Sequence, residues 1–238
     1  SAGFLKHISP ETASVLTRRL NDFDGERLEL MDAGGIELAV LSLTGPGLQG
    51  EDPASAVDVA RRTNDFLAER VGAKPARLAG LASLPMHDPE AAAAELERCV
   101  RDLGFKGTLV NGHSQGVYYD APEYDVFWQR LEALNVPFYL HPGNAYEQPH
   151  VLTGHPELHG ATWGWGVETG SHALRLLFGG VFDRFPKIKL VLGHMGEALP
   201  YLRWRFDSRH MAYPMGVTLA RKPSEYFGSN ILITTTGV

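Results

Sequence analysis

The chain has 238 residues, of which 44% are hydrophobic and 21% charged, a balance that fits one soluble domain with a large core. Its formal net charge is −6 and its 22 lysines and arginines are spread along the chain, so no basic stripe could follow a phosphate backbone and we expect no nucleic-acid partner. No apolar run reaches the length of about 18 residues that a membrane helix needs, and the start lacks a signal-like pattern, so we expect a cytoplasmic protein without a membrane partner.

Six short apolar runs alternate with amphipathic stretches and predict strands, at residues 37–43, 77–84, 107–112, 136–142, 188–194 and 230–237. Residues 53–70 and 88–104 between them have helical patterns. In the second, Asp88 is the expected N-cap, Pro89 the first helical residue and Gly104 the C-terminal stop. Strands and helices that alternate in this way predict parallel pairing through right-handed crossovers.

Two parallel architectures fit this order, an open doubly wound sheet and a closed eight-stranded barrel. The turn LTGPGLQG after the first run contains a proline and starts no helix, which argues against a dinucleotide-binding turn. Polar residues instead follow the ends of several strands, namely Ser42, Asn111, His141, His194 and Thr236. This is typical of a (β/α)8 barrel. Six strands are too few to close it, so either the strand count is wrong or the chain is incomplete, and we predict a single incomplete barrel domain over residues 1–238.

His141 and His194 each end an apolar run, in VPFYLHPGN and IKLVLGHMGE. Either histidine alone would be explained by a hydrogen bond to a neighbouring loop. Parallel strands share one carboxyl edge, however, so both imidazoles are expected in the same mouth, where they can serve a metal ion or acid–base chemistry.

Glu197 follows His194 by three residues and is expected near the start of a helix over residues 197–210, where it either orients the imidazole or only complements the helix dipole. Arg205 is expected two turns further on the same side of that helix. There it would reach an anionic substrate group or a neighbouring acid, with a surface ion pair to Asp207 or Glu197 as the alternative. Trp163 and Trp165 precede a further helix and are suited either to stacking on a flat aromatic ligand or to core packing.

The chain closely resembles the decarboxylase branch of the amidohydrolase superfamily, with the nearest likeness to 2,3-dihydroxybenzoate and γ-resorcylate (2,6-dihydroxybenzoate) decarboxylases. The resemblance rests on RLELMDAGGIELAVLSLTGPGLQG, ELERCVRDLGFKGTLVNG, VPFYLHPGN, ETGSHALRLLFGGVFDRFPKIKLVLGHMGEALPYLRWRFDSR and ILITTTG. The pattern GHMGE-LPY--WR-D is its most specific part.

This resemblance implies a distorted (β/α)8 barrel with one divalent metal ion, Zn or Mn, with Mg as a further option. It also implies roles for six residues: His141 as metal ligand, His194, Glu197 and Arg205 as the catalytic cluster, and Asn111 and Trp165 as the lining of the substrate pocket. Relatives carry a first-strand Glu-x-His motif and an eighth-strand aspartate that this sequence lacks. We therefore expect an internal segment of a longer protein, or a truncated barrel that cannot bind metal as its relatives do.

The primary hypothesis is a carboxy-lyase that decarboxylates an ortho-hydroxybenzoate without an oxidant, with a small aromatic carboxylate as substrate and a homo-oligomer, a dimer or tetramer, as the assembly. The alternative is a metal-dependent hydrolase of the same superfamily that acts on an ester, lactone or amide. A third hypothesis is an inactive truncated barrel that acts only by association.

Overall fold

The computed structural model describes residues 9–236. Its strands are short and lie inside the six predicted runs: β1 (Ala39–Leu41), β2 (Leu78–Gly80), β3 (Thr108–Asn111), β4 (Pro137–His141), β5 (Lys189–Leu192) and β6 (Ile231–Ile233). β1 pairs with β2, and the other four strands pair in the order β3-β4-β5-β6, every pair being parallel. The strand order therefore follows the chain order, as in a barrel wall.

Backbone hydrogen bonds join the β1-β2 pair to the four-stranded group, between the end of β2 and the start of β3. The N–H of Lys106 donates to the carbonyl of Gly80 at 2.9 Å, and the N–H of Ala82 donates to the carbonyl of Gly107 at 2.8 Å. The six strands thus form one continuous parallel wall. A doubly wound sheet would reverse its strand order in the middle, and this wall does not.

Two helices precede β1, namely α1 (Pro10–Leu20) and α2 (Glu26–Ala33). The others connect successive strands: α3 (Pro53–Gly72), α4 (Pro89–Arg101), α5 (Asp125–Leu134), α6 (Gly164–Phe178), α7 (Val181–Arg184) and α8 (Arg203–Ala212). The predicted cap of α4 is confirmed, since the Asp88 carboxylate accepts the N–H of Ala91 at 3.0 Å and Pro89 opens the helix. Gly104, with a φ of 72°, turns the chain after it.

The core lies between the strands and the outer helices. In β4, Phe138 and Leu140 are fully buried, and the ring of Phe138 meets that of Trp128 from α5 at a centroid distance of 5.0 Å. Tyr139 and His141 lie on the opposite face of β4 and are only partly buried. The wall therefore packs its helices on one face and turns its polar strand ends to the other.

Two further features concern the surface and the helices. Large apolar side chains are exposed around α8 and the segment after it, including Tyr201, Trp204 (78%), Met211, Tyr213 and Met215 (89%). Among residues 9–236, no helix combines the length and the hydropathy that a bilayer crossing requires.

Candidate active site

The two strand-end histidines meet at the carboxyl edge of the wall. β4 ends at His141, and β5 pairs with it through Leu140 and Leu192, so that His194 follows at the same level. The imidazole centroids lie 5.9 Å apart, with the ring planes at 71° to each other. The predicted meeting of the two rings in one mouth is what the structure shows.

His141 has the tautomer that can bind a cation, with a free lone pair on Nε2. Its Nδ1 lies 3.1 Å from the carbonyl oxygen of Pro142, which can only accept, so Nδ1 carries the proton and the Nε2 lone pair remains for a ligand. Burial lowers the pKa of His141, and the nearby His194 lowers it further, against the carbonyl, which raises it. The imidazole is therefore held neutral.

His194 and Glu197 lie in a left-handed helical turn, His194–Glu197, in which every residue has a positive φ: 47°, 56°, 75° and 52°. Ala198 continues the run with a φ of 63°, and Gly196 is the single glycine in it. For an L-residue this conformation costs roughly 1–2 kcal/mol, so contacts elsewhere must stabilise the turn. The turn returns the Glu197 carboxylate to His194, with Oε1 at 2.8 Å from Nδ1.

The predicted helix over residues 197–210 is therefore wrong at its start. The chain runs from the left-handed turn into a 3-10 turn, Leu199–Leu202, and α8 begins only at Arg203. Pro200 disfavours the α conformation at Leu199, which prevents a regular helix from starting at Glu197. Glu197 consequently acts on His194 through the turn and not from a helix N-terminus.

Glu197 is buried against α6, where two glycines make room for it. Its side chain is 6% exposed, a methyl group on Gly166 would lie 3.1 Å from Oε2, and one on Gly170 would lie 3.5 Å from the Glu197 carbonyl oxygen. Burial raises the pKa of Glu197, and the hydrogen bond to His194 opposes the rise. Sequence reasoning missed these glycines, although their spacing of four in GVETG places them on one helix face.

Trp165 lies in the first turn of α6 and not ahead of it as predicted. Its indole Nε1–H donates to Oδ1 of Asn144 at 2.7 Å, in the loop that follows His141. Trp163 occupies the N-cap position and is largely exposed. The structure thus brings Trp165 to the loops around the histidine pair and leaves Trp163 at the surface.

Asn111 ends β3 directly opposite His141 in the register, but its side chain is covered. Asn111 is 6% exposed, its N–H donates to Oε1 of Gln49 at 3.0 Å, and its own Oδ1 is buried without a hydrogen-bond partner among the described residues. A methyl group on Gly45 would lie 3.4 Å from that oxygen. The loop after β1 therefore covers the carboxamide, and Gln49 is a contact that the sequence did not predict.

Arg205 is exposed on α8. Within the described part of the chain it forms no ion pair with Glu197 or Asp207. Asp207 instead accepts from the N–H and the hydroxyl of Ser224, at 2.8 and 2.6 Å. Arg205 lines a groove of about 550 Å³ beside Phe206 and Met215, so its support of the catalytic cluster stays a prediction.

The metal-binding capacity of the described residues is partial. Across residues 9–236, no group of three or more His, Cys, Asp or Glu side chains converges on one point. His141 fits as one ligand by its tautomer and position.

A parallel wall with paired histidines at its carboxyl edge is the arrangement of metal-dependent barrel enzymes. The chain belongs to the amidohydrolase family, whose sequence model (Amidohydro_2: Amidohydrolase) matches residues 6–230.

Several of its relatives within that family are decarboxylases. The chain is 47% identical to the γ-resorcylate decarboxylase of Rhizobium sp. (strain MTP-10005), over 100% of this chain and 75% of the relative. A crystal structure of 2,6-dihydroxybenzoate decarboxylase complexed with 2,6-dihydroxybenzoate has a TM-score of 0.91 at 45% identity, over 97% of this chain and 75% of that one. The dihydroxybenzoic acid decarboxylase of Polaromonas sp. JS666, with bound manganese and 2-nitroresorcinol, gives 0.90 at 46% identity, over 99% and 73%. The predicted family and barrel fold are confirmed.

Proposed function

We propose that this chain carries the active site of a non-oxidative carboxy-lyase that acts on an ortho-hydroxybenzoate of the 2,6-dihydroxybenzoate type. The observation that carries the proposal is the His194–Glu197 pair, which faces His141 at the strand ends of a chain 47% identical, over its full length, to a γ-resorcylate decarboxylase.

We assign to the chain's residues the roles that this chemistry needs. His141 would hold one divalent ion, Mn or Zn with Mg as a further option, and that ion would supply chelation of the carboxylate and the ortho oxygen. Glu197 fixes Nδ1 of His194, which leaves the other ring nitrogen to hold water or a proton beside the ring. In the reaction the carboxylate-bearing carbon takes up a proton, its bond to the carboxyl carbon breaks, and CO2 leaves.

Three further residues complete the assignment. Trp165 supplies an aromatic surface for the substrate ring. Asn111 and Arg205 are assigned to the site by resemblance. Asn111 lies beneath the loop after β1, and Arg205 is exposed on α8. These two roles require movement of the covering loop or a contact outside the described residues.

The assembly and location are proposed more broadly. The exposed aromatic and methionine side chains around α8 support a homo-oligomer, because so much apolar surface is unusual on a monomer. Light scattering during gel filtration distinguishes this from a monomer. We propose that the enzyme works in the cytoplasm.

The test of the function is product analysis. Protein supplied with Mn²⁺ is expected to release CO2 from 2,6-dihydroxybenzoate and to form 1,3-dihydroxybenzene in equal amount. The matched control is 3,5-dihydroxybenzoate, which has no ortho hydroxyl and should not react. Hydrolysis of a lactone or ester without CO2 release would support the hydrolase alternative, and metal-loaded protein inactive on all of them would support the association-only hypothesis.

A further inference from the structure

We propose that Asn144 and His113 are positioning residues that hold the indole of Trp165 in the wall of the site and thereby set the affinity for the aromatic ring of the substrate. The proposal rests on the proposed function, in which that ring lies against Trp165. Neither Asn144 nor His113 touches the reacting atoms.

The first link joins the loop after β4 to α6. Asn144 lies three residues beyond His141, and its Oδ1 accepts the indole N–H of Trp165, 21 residues further along the chain, at 2.7 Å. An indole has one donor, so this bond fixes which way the ring is flipped about its χ2 angle. Without an acceptor at this point, the indole could turn its face away from the mouth.

The second link holds Asn144 itself. The backbone N–H of Gly116 donates to Nδ1 of His113 at 3.0 Å, so Nδ1 is unprotonated and the proton is on Nε2. That Nε2–H donates to the carbonyl of Asn144 at 3.1 Å. The ring of Tyr146 meets the His113 ring edge to face at 5.7 Å. Both nitrogens of His113 are thus committed to the backbone, and the histidine acts as a spacer between the loops after β3 and β4.

A third link ties the loop after β3 directly to α6. Tyr118 donates its hydroxyl to Oε1 of Glu168 at 2.5 Å, one turn after Trp165 on the helix. Burial raises the pKa of Tyr118, so the hydroxyl keeps its proton and remains a donor. The guanidinium of Arg175 lies 4.6 Å from the centre of the Tyr118 ring, which holds that ring in place. Two loops therefore hold the first turns of α6, one through Trp165 and the other through Glu168, and we call these contacts the clamp.

This clamp also reaches the catalytic pair. Gly166, directly after Trp165, is the residue against which Oε2 of Glu197 packs. A shift of the helix start would therefore move the wall behind Glu197, whereas rotation of the indole alone would not. Loss of the Asn144 bond should therefore weaken binding of the aromatic acid and leave the chemical step almost unchanged.

The experiment compares Asn144→Ala with Asn144→Asp, which keeps an acceptor for the indole N–H, and with Gln148→Ala as a control in the same loop. The indole N–H resonance of Trp165 is observed in protein labelled with 15N-tryptophan and is assigned by its loss in Trp165→Phe. Asn144→Ala and His113→Ala should both move it upfield, the direction expected for a lost hydrogen bond. Asn144→Asp and Gln148→Ala should leave it near the wild-type position.

The functional readout is the Kd of 2,6-dihydroxybenzoate, followed at the same resonance, together with KM and kcat for CO2 release. For Asn144→Ala we expect Kd and KM to rise about three- to tenfold, with kcat within about twofold, and rescue by Asn144→Asp.

An unmoved resonance in Asn144→Ala overturns the proposal, and so does a moved resonance with unchanged Kd. Wild-type protein that binds the acid in this way but releases no CO2 would refute the proposed function and leave the positioning role standing. Wild-type protein that does not bind the acid would refute both.

Discussion

Replacing Glu197 by glutamine should lower activity and at the same time stabilise the fold at neutral pH. The side chain is 6% exposed, and its Oε1 lies 2.8 Å from Nδ1 of His194. Glutamine has the same shape and can still accept that hydrogen bond, but it carries no charge. A hydrogen bond to a charged group contributes about 1.5–3 kcal/mol and a neutral one about 0.5–1.5 kcal/mol. The difference between the two hydrogen bonds is about 1–1.5 kcal/mol. Taken as lost transition-state stabilisation, it corresponds to a roughly tenfold lower kcat/KM.

The stability change has the opposite sign. Burial raises the pKa of Glu197 above its ordinary value of 4.5, so the folded state resists ionisation more than the unfolded state does. The stability that this carboxyl contributes is fully present below pH 4.5 and is lost as the pH rises through the folded pKa. Glutamine removes that loss. The variant should therefore gain stability relative to wild type at neutral pH, and the gain should shrink on acidification.

The assay is urea unfolding at several pH values beside steady-state CO2 release. Glu157→Gln is the control, because Glu157 also pairs with a histidine, His155, at 2.9 Å, but both side chains are 62% exposed. That variant should match wild type in both assays, since exposed pairs contribute little. Full activity of Glu197→Gln would contradict the role of the charged hydrogen bond to His194. A loss of stability at neutral pH would show that burial does not dominate the pKa of Glu197.

Three further predictions follow from the site and the core. His141→Ala should lose bound divalent metal, measured by mass spectrometry of the purified protein, whereas His194→Ala should keep most of it; equal loss would contradict the separate roles. Gly166→Ala should lower kcat about tenfold, because its methyl group would lie 3.1 Å from Oε2 of the buried Glu197. Gly170→Ala should leave kcat unchanged, because its methyl group would lie 3.4 Å or more from its neighbours. Burial lowers the pKa of His172 to about 3, so as the pH falls from 6.5 towards 3 the unfolded state takes up a proton that the folded state excludes, and the unfolding free energy should decrease; His172→Phe should reduce this decrease in urea titrations.

The wall of the fold was most predictable where a strand combines a buried face with a polar end, as β4 does. Phe138 and Leu140 mark β4 as a buried strand, and His141 marks its end, so the pattern predicted both the element and its edge. The meeting of His141 and His194 followed from parallel pairing alone, since neighbouring strands end on the same side. The strands are shorter than the apolar runs because the flanking residues belong to turns.

What escaped prediction depends on tertiary contacts that have no local pattern. The helix expected from Glu197 is an exception, because Pro200 is a local signal against it; only the left-handed turn that replaces it, which packs against Gly166, lacks a local pattern. The cover over Asn111 comes from Gln49, 62 residues away, and the partner of Trp165 comes from a loop that reads only as irregular. Arg205 was placed beside Glu197 by assuming one helix where the chain has two separate turns before α8 begins.

The left-handed turn at His194–Glu197 has a consequence for the order of folding. Its conformation is unfavourable in isolation and is stabilised by packing against α6 and β6, where a methyl group on Gly196 would already lie 2.9 Å from Ile233. Such a segment should become native after the folding transition state, once the strands on either side have paired. Substitutions in the turn should then accelerate unfolding while leaving the refolding rate unchanged, so the His194–Glu197 pair would be the last part of the wall to assemble and the first to be lost.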